Sequence, residues 1–392
     1  MQEVFIVAAT RTAIGDFLGQ LAPVQAVEFG TTVIKELVKR SGIPMADFEE
    51  VTSGMNMRGG HGGNPARQMQ IAAGLPYTGY ASTIDQQCSS GMRAIEMVSQ
   101  QIMLGKTNIG IGMGIESMSN AAYILPGARS IRMGDVKLLD SLTTDGLVCA
   151  IYKQHMGMTA ENLAVEYNIS RQEQDELAYL SHQRALAAIK DGKFKDEIVP
   201  IEVPSRKGPY IFDTDEHPKD TPMEKYAAMK PAFKKEGGTV TAANASGIND
   251  GAAGVVLVSG DMLKKYGLKP MAKLVCTCSA GVEPRIMGIG PAYAIPKALK
   301  IAGLTKEDIG YYEINEAFAA QFLACNRVLQ LPMDKVNLNG SGIGLGHPTG
   351  ATGARIIVSL LYEARRRGDK YGCASLCVGG GPSMASIWEM CY

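Results

Sequence analysis

Apolar positions along the chain follow two rhythms. Val4 to Ala9 is an unbroken apolar run, which predicts a buried strand. Val27, Val33, Ile34, Leu37 and Val38 then recur at helical spacing until Ser41-Gly42. Ile84 to Gln87 leads into Cys88, after which Met92, Ile95, Val98 and Ile102 mark a second helix that stops at Gly105. Ile109 to Ile115 alternates apolar residues with glycine, as in a strand with one face open to a close neighbour. Strand, sharp turn, helix and strand in this order make a parallel α/β unit.

The C-terminal part repeats the plan. Val336 to Leu338 runs into a glycine-rich stretch, Gly340 to Gly353, followed by a helical stripe of Ile357, Leu360, Leu361 and Ala364. Arg365, Arg366 and Arg367 fall in its last turn, where the helix dipole favours cations, and Gly368 ends it. Cys373 to Val378 reads as a buried strand opening on Gly379-Gly380-Gly381. The order of elements predicts an α/β protein of two pseudo-duplicated βα-rich halves. Residues 1–119 form the first part of the N-terminal half. Residues 120–250 form an inserted loop domain that returns to that half near its end, and residues 251–392 form the C-terminal half. Inside the insert, Ser170 and Glu173 have the spacing of a capping box ahead of a helix through Leu177, Leu180 and Ile189. Residues 204–238 carry prolines and lysines without a period and read as loop. Ala252 to Val258 reads as a buried strand of the second half.

Composition narrows the function classes. A chain of 392 residues with 46% hydrophobic and 20% charged residues is globular and long enough for two or three domains. Lys+Arg and Asp+Glu both number 39, so no excess of positive charge marks a nucleic-acid or acidic-membrane binder. A small basic patch for a phosphate-bearing ligand is compatible with this balance. No apolar window is long enough to span a bilayer, and the start, Met1 to Val7, has no secretory pattern. The eight cysteines include no Cys-x-x-Cys pair and the five histidines are scattered, so no metal-site spacing exists. A reduced, cytoplasmic location is the simplest expectation.

Four residues then stand out. Cys88 sits at a strand-to-helix turn, where unpaired N–H groups and the positive helix end favour a thiolate and can hold an oxyanion. A lone cysteine is more often a small core residue, which is the competing reading. His347 lies in Gly344-Leu345-Gly346-His347-Pro348, where glycines let a ligand approach and Pro348 fixes the turn. Cys377 closes an apolar strand before the glycine triplet, although a core role like that of Cys373 fits as well. Asn315 follows Tyr311-Tyr312-Glu313-Ile314 at a strand end, suited to orient water or substrate, or to cap the next helix. Two thiols, an imidazole and an amide suit acyl transfer through a thioester. A Cys-His-Asn hydrolase would use the same residue types without the second cysteine.

These segments resemble the thiolase family over essentially the whole chain. The resemblance rests on Asp85 to Gly91, His155 to Asn162, Asn244 to Ala252, Asn315 to Ala319, Gly344 to Pro348 and Cys377 to Gly381. It implies the thiolase fold: two halves in five layers, α/β/α/β/α, with an inserted loop domain. The implied reaction is the reversible condensation of two acyl-CoA molecules, acetyl-CoA first among them, to a 3-oxoacyl-CoA and CoA. By this resemblance Cys88 takes the acyl group, His347 helps deprotonate it, and Cys377 moves the proton on the reacting carbon. A water on Asn315, with His347, stabilises the enolate oxygen, and the N–H groups of Cys88 and Gly379 hold the tetrahedral oxyanion. Ser246 and His155 match CoA-contacting positions, with Leu147, Met156, Ala242, Ala317 and Phe318 as lining residues. Lys219 is placed toward the nucleotide phosphates. Coenzyme A is then substrate and product, and no metal or other cofactor is implied. Tyr123 to Asp140 resembles the tetramerisation loop of the short-chain branch, so a homotetramer is expected, with an auxiliary subunit as in some relatives a further option. Pro382-Ser383 after the glycine triplet and Gly340-Ser341-Gly342-Ile343-Gly344 depart from the usual family pattern. Competing readings are a thiolase for longer, branched or aromatic 3-oxoacyl-CoA and a non-catalytic acyl-CoA-binding relative.

Overall fold

The computed structural model describes residues 1–392. The elements that position the site are β1 (Val4–Arg11), α1 (Ala26–Ser41), β2 (Glu50–Gly54), α2 (Pro65–Ala72), β3 (Tyr80–Ile84), α3 (Ser90–Met103) and β4 (Ile109–Ser117). They continue with α4 (Met156–Glu166), α5 (Arg171–Lys190), β5 (Asn249–Ser259), β6 (Ala272–Gly281), α6 (Pro291–Ala302) and β7 (Tyr311–Ile314). The last are α7 (Ala319–Leu329), α8 (Thr349–Arg367), β8 (Tyr371–Cys377) and β9 (Pro382–Met390).

The strands run in the order β7-β8-β9-β6-β1-β5-β4-β2-β3 within one ten-stranded sheet; a two-residue strand, Gly15–Asp16, pairs with β5 beside this path. The duplication is written in the strand directions. From the centre outward, β1 meets β5 antiparallel, β5 meets β4 antiparallel, and β4 meets β2 parallel. In the other half β6 meets β9, β9 meets β8 and β8 meets β7 with the same sequence of directions. The halves join where Phe5 and Ile6 pair with Lys273 and Ala272. The outer strand β3 has no full counterpart: beside β7 only Val336 bridges, to Tyr312.

Three apolar cores explain the layering. One buries α1 and α2 against β4. A second buries α6, α7 and α4 against the C-terminal strands. The third holds α3 and α8 between the two halves, with Met92, Ile95, Ile357 and Leu360 meeting Val255, Leu376 and Trp388. The glycine face of β4 is the reason the middle layer fits. A Cβ on Gly112 would sit 2.6 Å from Ile95 Cα, and one on Gly114 would sit 2.3 Å from Gly350 O. Gly91 and Gly353 likewise let α3 and α8 cross closely, since a Cβ on Gly353 would lie 2.4 Å from Met92 N. That crossing brings together the two helix starts, and the turns before them carry Cys88 and His347.

Two sequence-based expectations change. The strand Asn249–Ser259, read as part of the second half, lies between β1 and β4 in the N-terminal half. Its pairing partners are more than 130 residues away, beyond the reach of a local pattern. Residues 204–238 are not loop throughout: Tyr210–Phe212 pairs with Ile201–Val203, and Met223–Ala228 is helical. The capping box of α5 forms, with Glu173 N donating to Ser170 Oγ and Ser170 N donating to Glu173 Oε2. No helix is long and apolar enough to cross a membrane.

Candidate active site

A cavity of about 540 Å³ opens between the halves and the loop domain. This is within the size range of small-molecule sites. Cys88, His347 and Gly379 line its inner end, and Leu147, His155, Met156, Lys219, Ala242, Ser246, Ala317 and Phe318 line the rest. Asn315 and Cys377 are fully buried and stand behind the wall instead of lining it.

Cys88 follows Gln87, whose φ of 50° folds the chain sharply before α3. The backbone N–H groups of Gly379 and of Cys88 itself point at its sulfur. Burial nevertheless outweighs them and pushes the thiol up to about 11. The sequence argument, in which the helix start lowers this value, is therefore corrected. The N–H groups are present, but desolvation of the anion is the larger effect, so the resting residue is a neutral thiol.

His347 is buried, and burial followed by the charge of Arg355 pulls its imidazole down to about 3. It is neutral, and its tautomer follows from its neighbours. Thr352 Oγ1 donates its single hydrogen to Pro348 O at 2.9 Å. Toward His347 Nδ1, 2.7 Å away, the same oxygen must accept. His347 therefore carries its proton on Nδ1 and presents a bare Nε2, the basic nitrogen. Asn249 Oδ1 fixes the backbone by accepting from His347 N at 2.9 Å.

Asn315 Nδ2 lies 3.4 Å from His347 Nε2, while its Oδ1 is buried without a partner. An orphaned acceptor behind a cavity wall is the place for a bound water or polar ligand atom. Gly342 allows this placement, because a Cβ there would fall 2.5 Å from Oδ1. Cys377 ends β8, and its thiol is raised well above the ordinary range by burial and by its nearness to Cys88. Pro382 opens β9, a strand-start position that tolerates the missing N–H, and Val282 N closes the glycine turn on Gly381 O at 2.8 Å.

The cavity walls come from the loop domain and C-terminal half. His155 accepts from Gly157 N at 3.1 Å through Nδ1 and stacks on Phe233 with ring centroids 4.6 Å apart. Ser246 N donates to Ala317 O at 3.0 Å, which sets the Ser246 and Phe318 segments side by side. Lys219 is partly spent: its Nζ lies 3.3 Å from Asp16 Oδ2. Asp16, His217, Phe233, Met287 and Thr349 also line the cavity and were not singled out from sequence. His217 Nδ1 bonds to Asp16 Oδ1. The poor pattern of residues 204–238 hid His217, and Asp16 sits on a two-residue strand too short to show a period.

A thiol held by two N–H groups and a neutral imidazole on the same cavity wall, with a second thiol behind that wall, define an acyl-transfer site on a duplicated α/β fold. The family descriptions "Thiolase, N-terminal domain" and "Thiolase, C-terminal domain" match residues 4–261 and 268–390. This chain belongs to the thiolase family. Acetyl-CoA acetyltransferase of Chromobacterium violaceum is 52% identical over 390 residues, 99% of each chain. The Escherichia coli K12 protein of the same name is 46% identical, with 99% of each covered. The solved acetyl-CoA acetyltransferase of Syntrophomonas wolfei superposes with a TM-score of 0.97 at 49% identity over all of both chains. A thiolase from Ascaris suum, solved in complex with coenzyme A, gives 0.94 at 41% identity over 99% of this chain and 100% of the other.

Proposed function

We propose that the chain catalyses the reversible condensation of two acetyl-CoA molecules to acetoacetyl-CoA and CoA. The observation that carries this reading is the convergence of Cys88, His347 and the Gly379 N–H on one cavity, with Cys377 behind Cys88. It is supported by relatives named acetyl-CoA acetyltransferase along the full chain.

The bare Nε2 of His347 takes the Cys88 proton as the sulfur attacks the first acetyl-CoA. The tetrahedral oxyanion is held by the N–H groups of Cys88 and Gly379. CoA sulfur leaves with the Cys377 proton, which makes Cys377 a thiolate, while the acetyl group remains on Cys88 and His347 keeps the proton it took. Cys377, as thiolate, removes a Cα proton from the second acetyl-CoA. Asn315, through a water on Oδ1, and His347 stabilise the enolate oxygen. The carbanion attacks the Cys88 thioester, the new C–C bond forms, and Cys88 leaves as thiolate and regains a proton. The acyl donor is already activated as a thioester, so the scheme calls on no metal or organic cofactor.

Leu147, Met156, Met287 and Phe318 line the cavity with apolar side chains, which suits an acyl group such as acetyl. His155 keeps Nδ1 as acceptor, so Nε2 carries its hydrogen and can donate to a ligand. Ser246, Ala242 and Ala317 border the pantetheine arm, and Lys219 the phosphate end. Tyr123 and Ile124 pair with Asp140 and Leu139, and this arm exposes Met133, Val136 and Leu138. That apolar surface supports a homotetramer. All eight cysteines are free, which fits a cytoplasmic setting.

Mass spectrometry after mixing with acetyl-CoA tests the reading. A single added acetyl group on Cys88, absent in Cys88→Ser, is expected. Cys377→Ala should still acylate yet lose condensation by at least about a hundredfold. No adduct on the reduced protein would instead favour a binding protein.

A further inference from the structure

Glu116 lies near the end of β4, is fully buried, and enters no step described above. Its Oε2 accepts from Asn56 N at 3.2 Å, Thr349 Oγ1 at 2.8 Å and Gly350 N at 2.7 Å. Its Oε1 accepts from Met57 N at 3.0 Å. All four partners are donors, the set that an ionised carboxylate wants.

The partners belong to two different turns. Thr349 and Gly350 open α8 directly after His347-Pro348. Asn56 and Met57 follow β2, and Asn56 Nδ2 reaches Gln87 Oε1 and Thr349 Oγ1, each at 3.4 Å. Gln87 is the residue whose left-handed backbone sets up Cys88. One carboxylate is thus bonded directly to the turn that carries His347 and, through Asn56, to the turn that carries Cys88.

We infer that Glu116 is a positioning residue for the reaction, bracing the His347 turn and the Cys88 turn against each other from behind. This rests on the reading of Cys88 as nucleophile. The charge has a second effect. It lies at the positive end of α8, where an imidazolium on His347 would otherwise meet an unfavourable dipole. It also opposes ionisation of Cys88, adding to the effect of burial. Burial pushes Glu116 itself up to about 7, yet no Lys or Arg shares its charge.

Glu116→Gln keeps the shape and removes the charge. Two readouts apply: turnover of acetyl-CoA, and alkylation of Cys88 by iodoacetamide as a function of pH. Turnover should fall about tenfold to a hundredfold in kcat with KM within about twofold. The midpoint of Cys88 alkylation should move down by about one pH unit, a shift that a purely structural role would not cause. Glu116→Asp, which retains the charge, should keep the alkylation midpoint of the native protein. Thr349→Val removes one of the four bonds without touching the charge. It should lower kcat by about tenfold and leave the midpoint in place, and it decides the bracing role if Glu116→Gln does not fold. Folded Glu116→Gln with unchanged midpoint and kcat, or Thr349→Val with unchanged kcat, overturns the inference. Alkylation needs no acyl-CoA, so failure of the native protein to turn over acetyl-CoA would count against the proposed function instead.

Discussion

Asn315 and His347 face each other across 3.4 Å, with the amide nitrogen of one toward the bare Nε2 of the other. The contact depends on a proton held on the far side of the ring, where Thr352 accepts from Nδ1. The base is therefore prepared by a hydroxyl five residues further on, in the first turn of α8, rather than by a carboxylate. A carboxylate there would raise the imidazole's basicity but also hold a charge in a dry site.

Thr352→Val conserves shape and removes the acceptor. The ring is then free to change tautomer, and Nε2 loses its lone pair for part of the population. A fall of about tenfold to a hundredfold in kcat is expected, with KM little changed. Steady-state kinetics check this, and a fall in KM without a fall in kcat would contradict the tautomer assignment.

The resting thiol gives a pH signature. Cys88 is pushed up to about 11 by burial, so the thiolate fraction should climb about tenfold per pH unit from pH 7 to pH 10. Iodoacetamide labelling of the ligand-free protein should follow that slope without a plateau. A plateau below pH 8 would show instead that the helix start dominates.

Much of this site was legible in the chain and some was not, for reasons that differ by residue. Cys377 stood out because its strand breaks into glycine, and Cys88 because it stands just before a helix start. His347 stood out because it lies in a glycine-rich stretch, which the structure places between the short helix Gly342–Leu345 and α8 and not at a strand end. The glycine face of β4 announced a close neighbour, but not that Ile95 of α3 and Gly350 of α8 would be it. Strand β5 was misplaced because its pairing is long-range and its composition is the same in either half. The charge state of Cys88 depended on two opposed effects, dipole and desolvation, and sequence shows only the first. Glu116 was invisible for a similar reason: its position in β4 reads as an end-of-strand polar residue, and its partners come from β2 and α8.

His347 also links the site to stability. Its folded value of about 3 lies below the ordinary histidine value, so the native state excludes a proton that the unfolded chain binds. This contribution is fully present above about pH 6.5 and is lost as pH falls toward 3. Burial has the opposite sign for Glu116, held up at about 7: that term favours folding at low pH and fades as pH rises through 7. A comparison of the native protein with His347→Gln isolates the histidine. Their stability difference should change by about 1.4 kcal/mol per pH unit between about pH 6 and pH 4. Urea unfolding across that window measures it, and a flat difference would mean that the ring is not kept neutral.

Asp16 places a negative charge on the wall of a cavity proposed for a polyanionic ligand. Its carboxylate bonds to His217 and lies 3.3 Å from the ammonium of Lys219. Burial alone would raise it, but His217 and Lys219 outweigh burial and hold it below the usual carboxylate range, so it is ionised at neutral pH. The cation expected to meet the CoA phosphates is therefore partly neutralised from within. Asp16→Asn should free Lys219 and lower KM for acetyl-CoA about threefold at low ionic strength, with the gain vanishing in high salt. S-Acetylpantetheine, which lacks the nucleotide phosphates, should show no such gain. An equal gain with both substrates would place the effect on the pantetheine arm, through His217, and remove Lys219 from the phosphate end.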